Sequence, residues 1–265
     1  MRFKEFIDID SLRHAKIDEK PVKNYKGDYK NLDIAKPSSN GSDKTYQELN
    51  DMQDMFKDRN EVIEKSVKDH DDQVGYAVKK YLDDNNLEYK ESDIDKIAEI
   101  GSGIVRYYKN KFERVRPYQL AEALNMKFDH MPLDSDSMKS PAYPSGHSLQ
   151  SRLIAEYYAE QYPEHRKGLI AGAEECGKGR IYAGWHYPSD HTASVKLAKQ
   201  IYPNITMRKT FKESIIDIPR RTYAPKVFDD ADTKDPKIKA SVKAQIDRQL
   251  KQFETEYPIL NTSLI

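Results

Sequence analysis

The chain has 265 residues, 37% of them hydrophobic and 33% charged, and its 44 Lys plus Arg balance 44 Asp plus Glu. That length can bury a sizeable core, and the apolar content is not low enough to demand disorder throughout. Zero net charge supplies no global field for nucleic acid or an anionic membrane, so neither is expected as a partner.

The opening, MRFKEFIDIDSLRH, has neither the apolar run nor the cleavage site of a secretory signal. No stretch approaches the roughly 18 apolar residues of a spanning helix. The expectation is a soluble, cytoplasmic protein without membrane insertion, or a periplasmic one if a leader was removed. Residues 1–44 are rich in turn signals and read as an irregular arm.

From Tyr46 to Asp83, Leu49, Met52, Phe56, Ile63, Val67, Val74, Val78 and Leu82 recur at helical spacings, which fits one long helix or two joined ones. NNLEYKES interrupts that pattern. Ser92 and Asp93 then start a helix that runs toward Pro117, with Ile94, Ile97, Ile100, Ile104, Tyr108, Phe112 and Val115 inward. A loop follows over Phe128–Pro144, then a helix from PSGH through SLQSRLIAEYYAEQY, punctuated by Pro163.

EHRKGLIAGAEECGKGR is the next helix, and Pro188 sits in the first turn of another. The single cysteine, Cys176, excludes an intrachain disulfide and reads as a half-buried small residue rather than a catalytic thiol. The tail holds an irregular link and a last helix near Lys237–Glu256. Strand-like alternation is scarce, so the predicted fold is all-α, a single helical-bundle domain. Its core spans 45–203, with the arm at 1–44 and a C-terminal linker and helix at 204–265 packed on the domain.

Three stretches carry candidate chemistry. Lys109 and Arg116 are seven residues apart on one predicted helix, which points both to one side about 10 Å apart along the axis. Such a pair can close on a small polyanion, although solvated basic residues are common on helices. In PSGH, the Ser145 hydroxyl and the Gly146 N–H at a helix N-terminus can meet an anion, with His147 facing it. A turn with a solvent-facing histidine is the plainer alternative.

In GRIYAGWHYPSDH, Arg180 offers a planar fork for phosphoryl oxygens. His186 and Asp190 are four apart, within reach for the carboxylate to accept from Nδ1–H and leave Nε2 as a nucleophile.

Together, KNKFERVRP, PSGH and GRIYAGWHYPSDH resemble the three-part signature of the phosphatidic acid phosphatase superfamily, which includes bacterial class A acid phosphatases and vanadium haloperoxidases. The pattern is lysine, six residues, Arg-Pro; then Pro-Ser-Gly-His; then Ser-Arg, five residues, His, three residues, Asp. It falls on Lys109, Arg116 and Pro117, on Pro144 to His147, and on Arg180, His186 and Asp190. Gly179 departs from it, standing where the pattern usually has serine.

The resemblance covers about Lys109–Asp190 and implies the helical-bundle fold of that family. It implies a metal-independent phosphatase acting on soluble phosphomonoesters, with no cofactor and with vanadate as an inhibitor. His186 would form a phosphohistidine, His147 would protonate the leaving group and Asp190 would orient His186. Lys109, Arg116, Ser145, Gly146 and Arg180 would hold the phosphoryl oxygens.

Related soluble phosphatases often oligomerise, so the N-terminal arm and the C-terminal helix are expected either to brace the core or to mediate self-association as a homo-oligomer. Two alternatives stand beside this reading: a haloperoxidase with vanadate as cofactor, and a phosphate-binding or structural protein with a relic site. Tyr143, Trp185 and Tyr187 flank the motifs and either stack on a substrate ring or pack between helices.

Overall fold

Ser42 opens the first helix by accepting from the Thr45 N–H, and α1 runs Asp43–Phe56 with Thr45, Glu48, Leu49, Met52 and Phe56 inward. Asn60 then accepts from the Val62 and Ile63 N–H groups to start α2, Glu61–Asp72. Gly75, at φ 84°, turns the chain into α3, Tyr76–Asp84. The expected one or two helices are therefore three. Hydrophobic spacing carried across both breaks because all three helices bury an apolar stripe, while the capping asparagine and the left-handed glycine end each run.

These coordinates come from a computed structural model, which describes residues 8–132 and 135–206. The expected helix at Lys237–Glu256, and nearly all of the segment 204–265, lie outside the described residues.

The long helix α4 spans Glu91–Phe112 and buries Ile94, Ile97, Ile100, Ile104 and Tyr108. It stops before Pro117 was reached: Glu113 adopts φ 50°, and its N–H closes on the Lys109 carbonyl. A short α5, Pro117–Ala123, follows with Pro117 at its first position. Sequence periodicity missed this helix, although an Arg-Pro step at a helix start was its signal.

Among the described helices the central one is α6, Gly146–Gln161, buried around most of its circumference. It packs on α4, on α7 (Arg166–Tyr182) and on α8 (Pro188–Ile201). A helix surrounded by neighbours needs no polar face, and Leu149, Leu153, Ile154, Ala155, Tyr158 and Ala159 are all buried. Each fully buried Leu or Ile contributes about 1.5–3 kcal/mol over exposure, so this helix anchors the main core.

Before α1 the described chain makes two 3-10 turns, Ile9–Ser11 and Tyr29–Asn31. It is tied to α4 by paired bonds between Ile17 and Asn110, and by Tyr108 Oη, which donates to the Tyr29 carbonyl and accepts from the Leu32 N–H. Among the described residues there is no strand, only an isolated antiparallel bridge between Tyr25 and Ile205. No described helix is long and apolar enough to cross a membrane.

Candidate active site

The first motif splits across two elements. Lys109 lies in the last turn of α4, whereas Arg116 is the residue that precedes α5. The expectation of one helix and a 10 Å axial separation is therefore wrong, because Glu113 breaks the helix between them. Both side chains nevertheless end in the interior. Lys109 Nζ donates to the Pro141 carbonyl, and its pKa falls well below the usual lysine value through burial and the nearby Arg116. Arg116 donates to the Ser140 carbonyl at 2.8 Å and the Trp185 carbonyl at 2.9 Å, and burial lowers its pKa to about 10.

The third motif leaves α7 through a sharp turn. Gly184 has φ 77°, and a Cβ there would approach His130 Cβ to 2.7 Å, so the turn needs glycine. The Trp185 and His186 N–H groups both close back on the Arg180 carbonyl. His186 is thereby fixed just ahead of α8, whose first turn carries Asp190.

His186 Nδ1 lies 3.0 Å from Asp190 Oδ2, and that oxygen also accepts from the Tyr187 N–H at 3.0 Å. On the other side of the ring, Arg116 Nη1 lies 3.0 Å from Nε2. A carboxylate only accepts and a guanidinium only donates, so the two partners together require Nδ1–H and a lone pair on Nε2. Burial, with Arg116, Lys109 and Arg180 nearby, pushes the His186 pKa well below the ordinary histidine value. The imidazole is neutral at neutral pH.

The second motif places His147 in the first turn of α6. Burial lowers its pKa well below the usual value, helped by Arg180, His186, His70 and Lys109. Its Nε2 is buried without a hydrogen-bond partner and stands 3.9 Å from Asp71 Oδ1. Arg180 donates from Nη1 to Asp71 Oδ1 at 2.8 Å and from Nη2 to the Val67 carbonyl, while its Nε is buried and unpartnered. Asp71, on α2, was invisible as a site residue in the sequence.

Ser145 is the N-cap of α6, where its Oγ accepts from the Ser148 N–H and hydroxyl, leaving its own proton to donate. A Cβ on Gly146 would meet Gln150 and Val105 only at 3.7 Å, ordinary contact, so internal packing does not demand glycine there. At Gly179 a Cβ would likewise meet Val67 at an ordinary 3.5 Å, and α7 continues unbroken through it. The glycine in place of serine leaves the helix intact.

The flanking aromatics pack between helices. Trp185 donates to the Met131 carbonyl at 3.0 Å, Tyr143 donates to the Ala35 carbonyl at 2.6 Å, and Tyr187 lies under Arg114; all three are buried. Cys176 is fully rather than half buried, and burial raises its thiol pKa. A cavity of about 430 Å³ is lined in part by Glu48 and Ser189 but by none of the five cationic and histidine side chains above. Lys109, Arg116 and Arg180 are held by backbone carbonyls and Asp71, which an anion would have to displace to reach them. Among the described residues, no three His, Cys, Asp or Glu side chains converge as a metal ion would require.

Residues 97–199 match the model of the PAP2 superfamily, a stretch that takes in all three motifs. The chain is also similar to curated bacterial proteins. It is 26% identical over 122 residues to a non-specific acid phosphatase of Providencia stuartii, covering 45% of this chain and 47% of that protein. It is 27% identical over 114 residues to a non-specific acid phosphatase of Salmonella typhimurium, covering 42% of this chain and 43% of that protein. The alignments thus span somewhat less than half the length of these relatives. They link the chain to phosphatase-type hydrolases at the superfamily level.

Proposed function

We propose that the protein is a phosphatase that hydrolyses soluble phosphomonoesters through a phosphohistidine on His186, without a metal. The observation that carries this reading is the His186 ring, held neutral with its lone pair on Nε2 inside a buried set of three cationic side chains. Its relatives' description as non-specific acid phosphatases agrees with a site that recognises the phosphoryl group rather than the rest of the ester.

In this mechanism the phosphoryl oxygens replace the internal acceptors of Lys109, Arg116 and Arg180. The orphaned Arg180 Nε, the Gly146 N–H and the Ser145 proton add donors. Arg116 then shifts from Nε2 to an equatorial oxygen, freeing the lone pair to attack phosphorus. The N–P bond forms as the P–O bond to the alcohol breaks, and the departing alkoxide takes a proton from His147. Water next attacks phosphorus, the N–P bond breaks, and His147 recovers a proton from that water. Asp190 stabilises the imidazolium character that His186 acquires.

His147 must be protonated for the first step, which opposes its depressed pKa. A phosphate dianion beside Nε2 favours the charged ring and restores the proton. The three cations neutralise charge developing on the equatorial oxygens, the part a metal plays in other phosphoryl transfers.

Steady-state hydrolysis of an aryl phosphate tests this reading. Turnover should persist in chelator and be inhibited competitively by vanadate, whose five-coordinate form resembles the transition state. Loss of turnover in chelator with recovery on adding a divalent metal, or no hydrolysis across pH 4–8, would contradict it.

A further inference from the structure

The Asp190 carboxylate has two oxygens with separate tasks. Oδ2 serves His186 and the Tyr187 N–H, whereas Oδ1 accepts from Arg114 Nη1 at 2.6 Å. Arg114 lies two residues before the motif arginine, and its side chain is only 2% exposed. Nη1 also reaches Ser189 Oγ at 2.8 Å, and Nη2 donates to Glu48 Oε2 at 3.0 Å. Glu48 in turn accepts from the Ser189 N–H at 2.7 Å and hydroxyl at 2.9 Å. The guanidinium centre sits 3.7 Å above the Tyr187 ring centroid.

A fastener between α1 and the start of α8 would explain Glu48, Ser189 and the ring contact. It does not explain why the shortest of these contacts ends on the oxygen partner of the His186 orienter. Arg114 pulls charge from Asp190, and a carboxylate drained of charge is a weaker acceptor for Nδ1–H. Glu48 lies on the opposite side of the guanidinium and offsets that pull. Burial opposes the Arg114 charge, but Asp190, Tyr187 and Glu48 outweigh it, and its pKa is raised.

We propose that Arg114 and Glu48 are positioning residues for His186, a buried pair that fixes the Asp190 carboxylate and sets the basicity of the imidazole through it. The inference rests on the reading of His186 as nucleophile. The other charged or titratable groups around the ring are Lys109 on α4, Arg116 before α5, His147 on α6 and Arg180 on α7, with Asp71 on α2 behind Arg180. All five stay in place in the variants below. The two members of the pair therefore make opposite predictions. Removing the Arg114 charge raises the His186 pKa, and removing the Glu48 charge lowers it.

The test is an imidazole ¹⁵N NMR titration of His186, together with kcat and KM against pH, in wild type, Arg114→Gln, Arg114→Lys and Glu48→Gln. Arg114→Gln should raise the His186 pKa by about one unit and Glu48→Gln should lower it by about half a unit, within the range that neighbouring charges produce. In Arg114→Gln, kcat should fall about 10-fold or more with KM nearly unchanged, as for an interaction made only in the transition state. Arg114→Lys should recover most of the titration shift.

Mere loosening of the α1–α8 junction would move both variants the same way. Shifts of the same sign, absent shifts, or no recovery with lysine overturn the proposal. If Arg114→Gln does not fold, Glu48→Gln and Arg114→Lys still decide it, because the first must lower the pKa and the second must stay close to wild type. The titration needs no turnover. Opposed shifts in a protein that hydrolyses no phosphoester would sustain the pair and overturn the phosphatase reading instead.

Discussion

Replacing Asp190 by asparagine keeps the shape of the side chain and removes one acceptor and one charge. Three donors converge on the carboxylate: His186 Nδ1 and the Tyr187 N–H at 3.0 Å, and Arg114 Nη1 at 2.6 Å. If the amide oxygen keeps the first two, its NH₂ faces the Arg114 N–H, and a charge-assisted bond of about 1.5–3 kcal/mol is lost. If the amide flips, its NH₂ faces Nδ1, and the imidazole must move its proton to Nε2. The nucleophile's lone pair is then gone, and Nε2–H meets the Arg116 donor at 3.0 Å.

The same exchange in the serine hydrolase triad costs about 10⁴ in kcat by imposing the wrong tautomer. At about 1.4 kcal/mol per decade, that is roughly 5.5 kcal/mol of barrier. Stability should fall by about 3 kcal/mol, because a partner of a buried charge is removed. The assay is kcat on an aryl phosphate beside a thermal melt and the ¹⁵N shifts of His186. A folded variant with kcat within about fivefold of wild type would refute the argument that Asp190 sets the tautomer.

His147→Ala should slow alkyl phosphates far more than an activated aryl phosphate, whose leaving group departs with little protonation; equal losses on both would contradict the acid role. Gly146→Ala should leave the melting temperature unchanged or slightly raised, since a Cβ meets only ordinary contacts, yet weaken phosphate binding about 10-fold or more by crowding the anion. Calorimetric titration with inorganic phosphate checks it, and unchanged affinity would place the anion elsewhere. Stability should fall as the pH drops below about 6.5. There the unfolded chain protonates His70, His147 and His186, while burial keeps them neutral in the folded one until their lowered pKa values are passed. Melts between pH 8 and 5 that are flat or rise toward acid would contradict this sign.

The helical class and the motif residues were legible because their signals are short and contiguous. Residues Pro144–His147 and Arg180–Asp190 each specify a helix start together with the side chains it presents. The network behind them was not. Asp71, Arg114 and Glu48 act through partners 66 to 141 positions away in sequence, and a lone charge near a motif looks like any solvated one. One signal was present for Glu48, which lies on the buried stripe of α1 with Thr45, Leu49, Met52 and Phe56. A carboxylate at a core position calls for a buried cation. The single helix drawn from Lys109 to Arg116 failed because apolar spacing continued through Val115 while the backbone turned left-handed at Glu113.

Rapid-quench trapping of the phosphoenzyme tests the central claim most directly. Mixed with an aryl phosphate and quenched under alkaline conditions, wild type should yield an acid-labile phosphohistidine that peptide mapping places on His186. His186→Ala should trap none, while His147→Ala should still form the intermediate from an activated ester. Trapping at wild-type yield in the His186 variant, or label mapped to His147, would contradict the account.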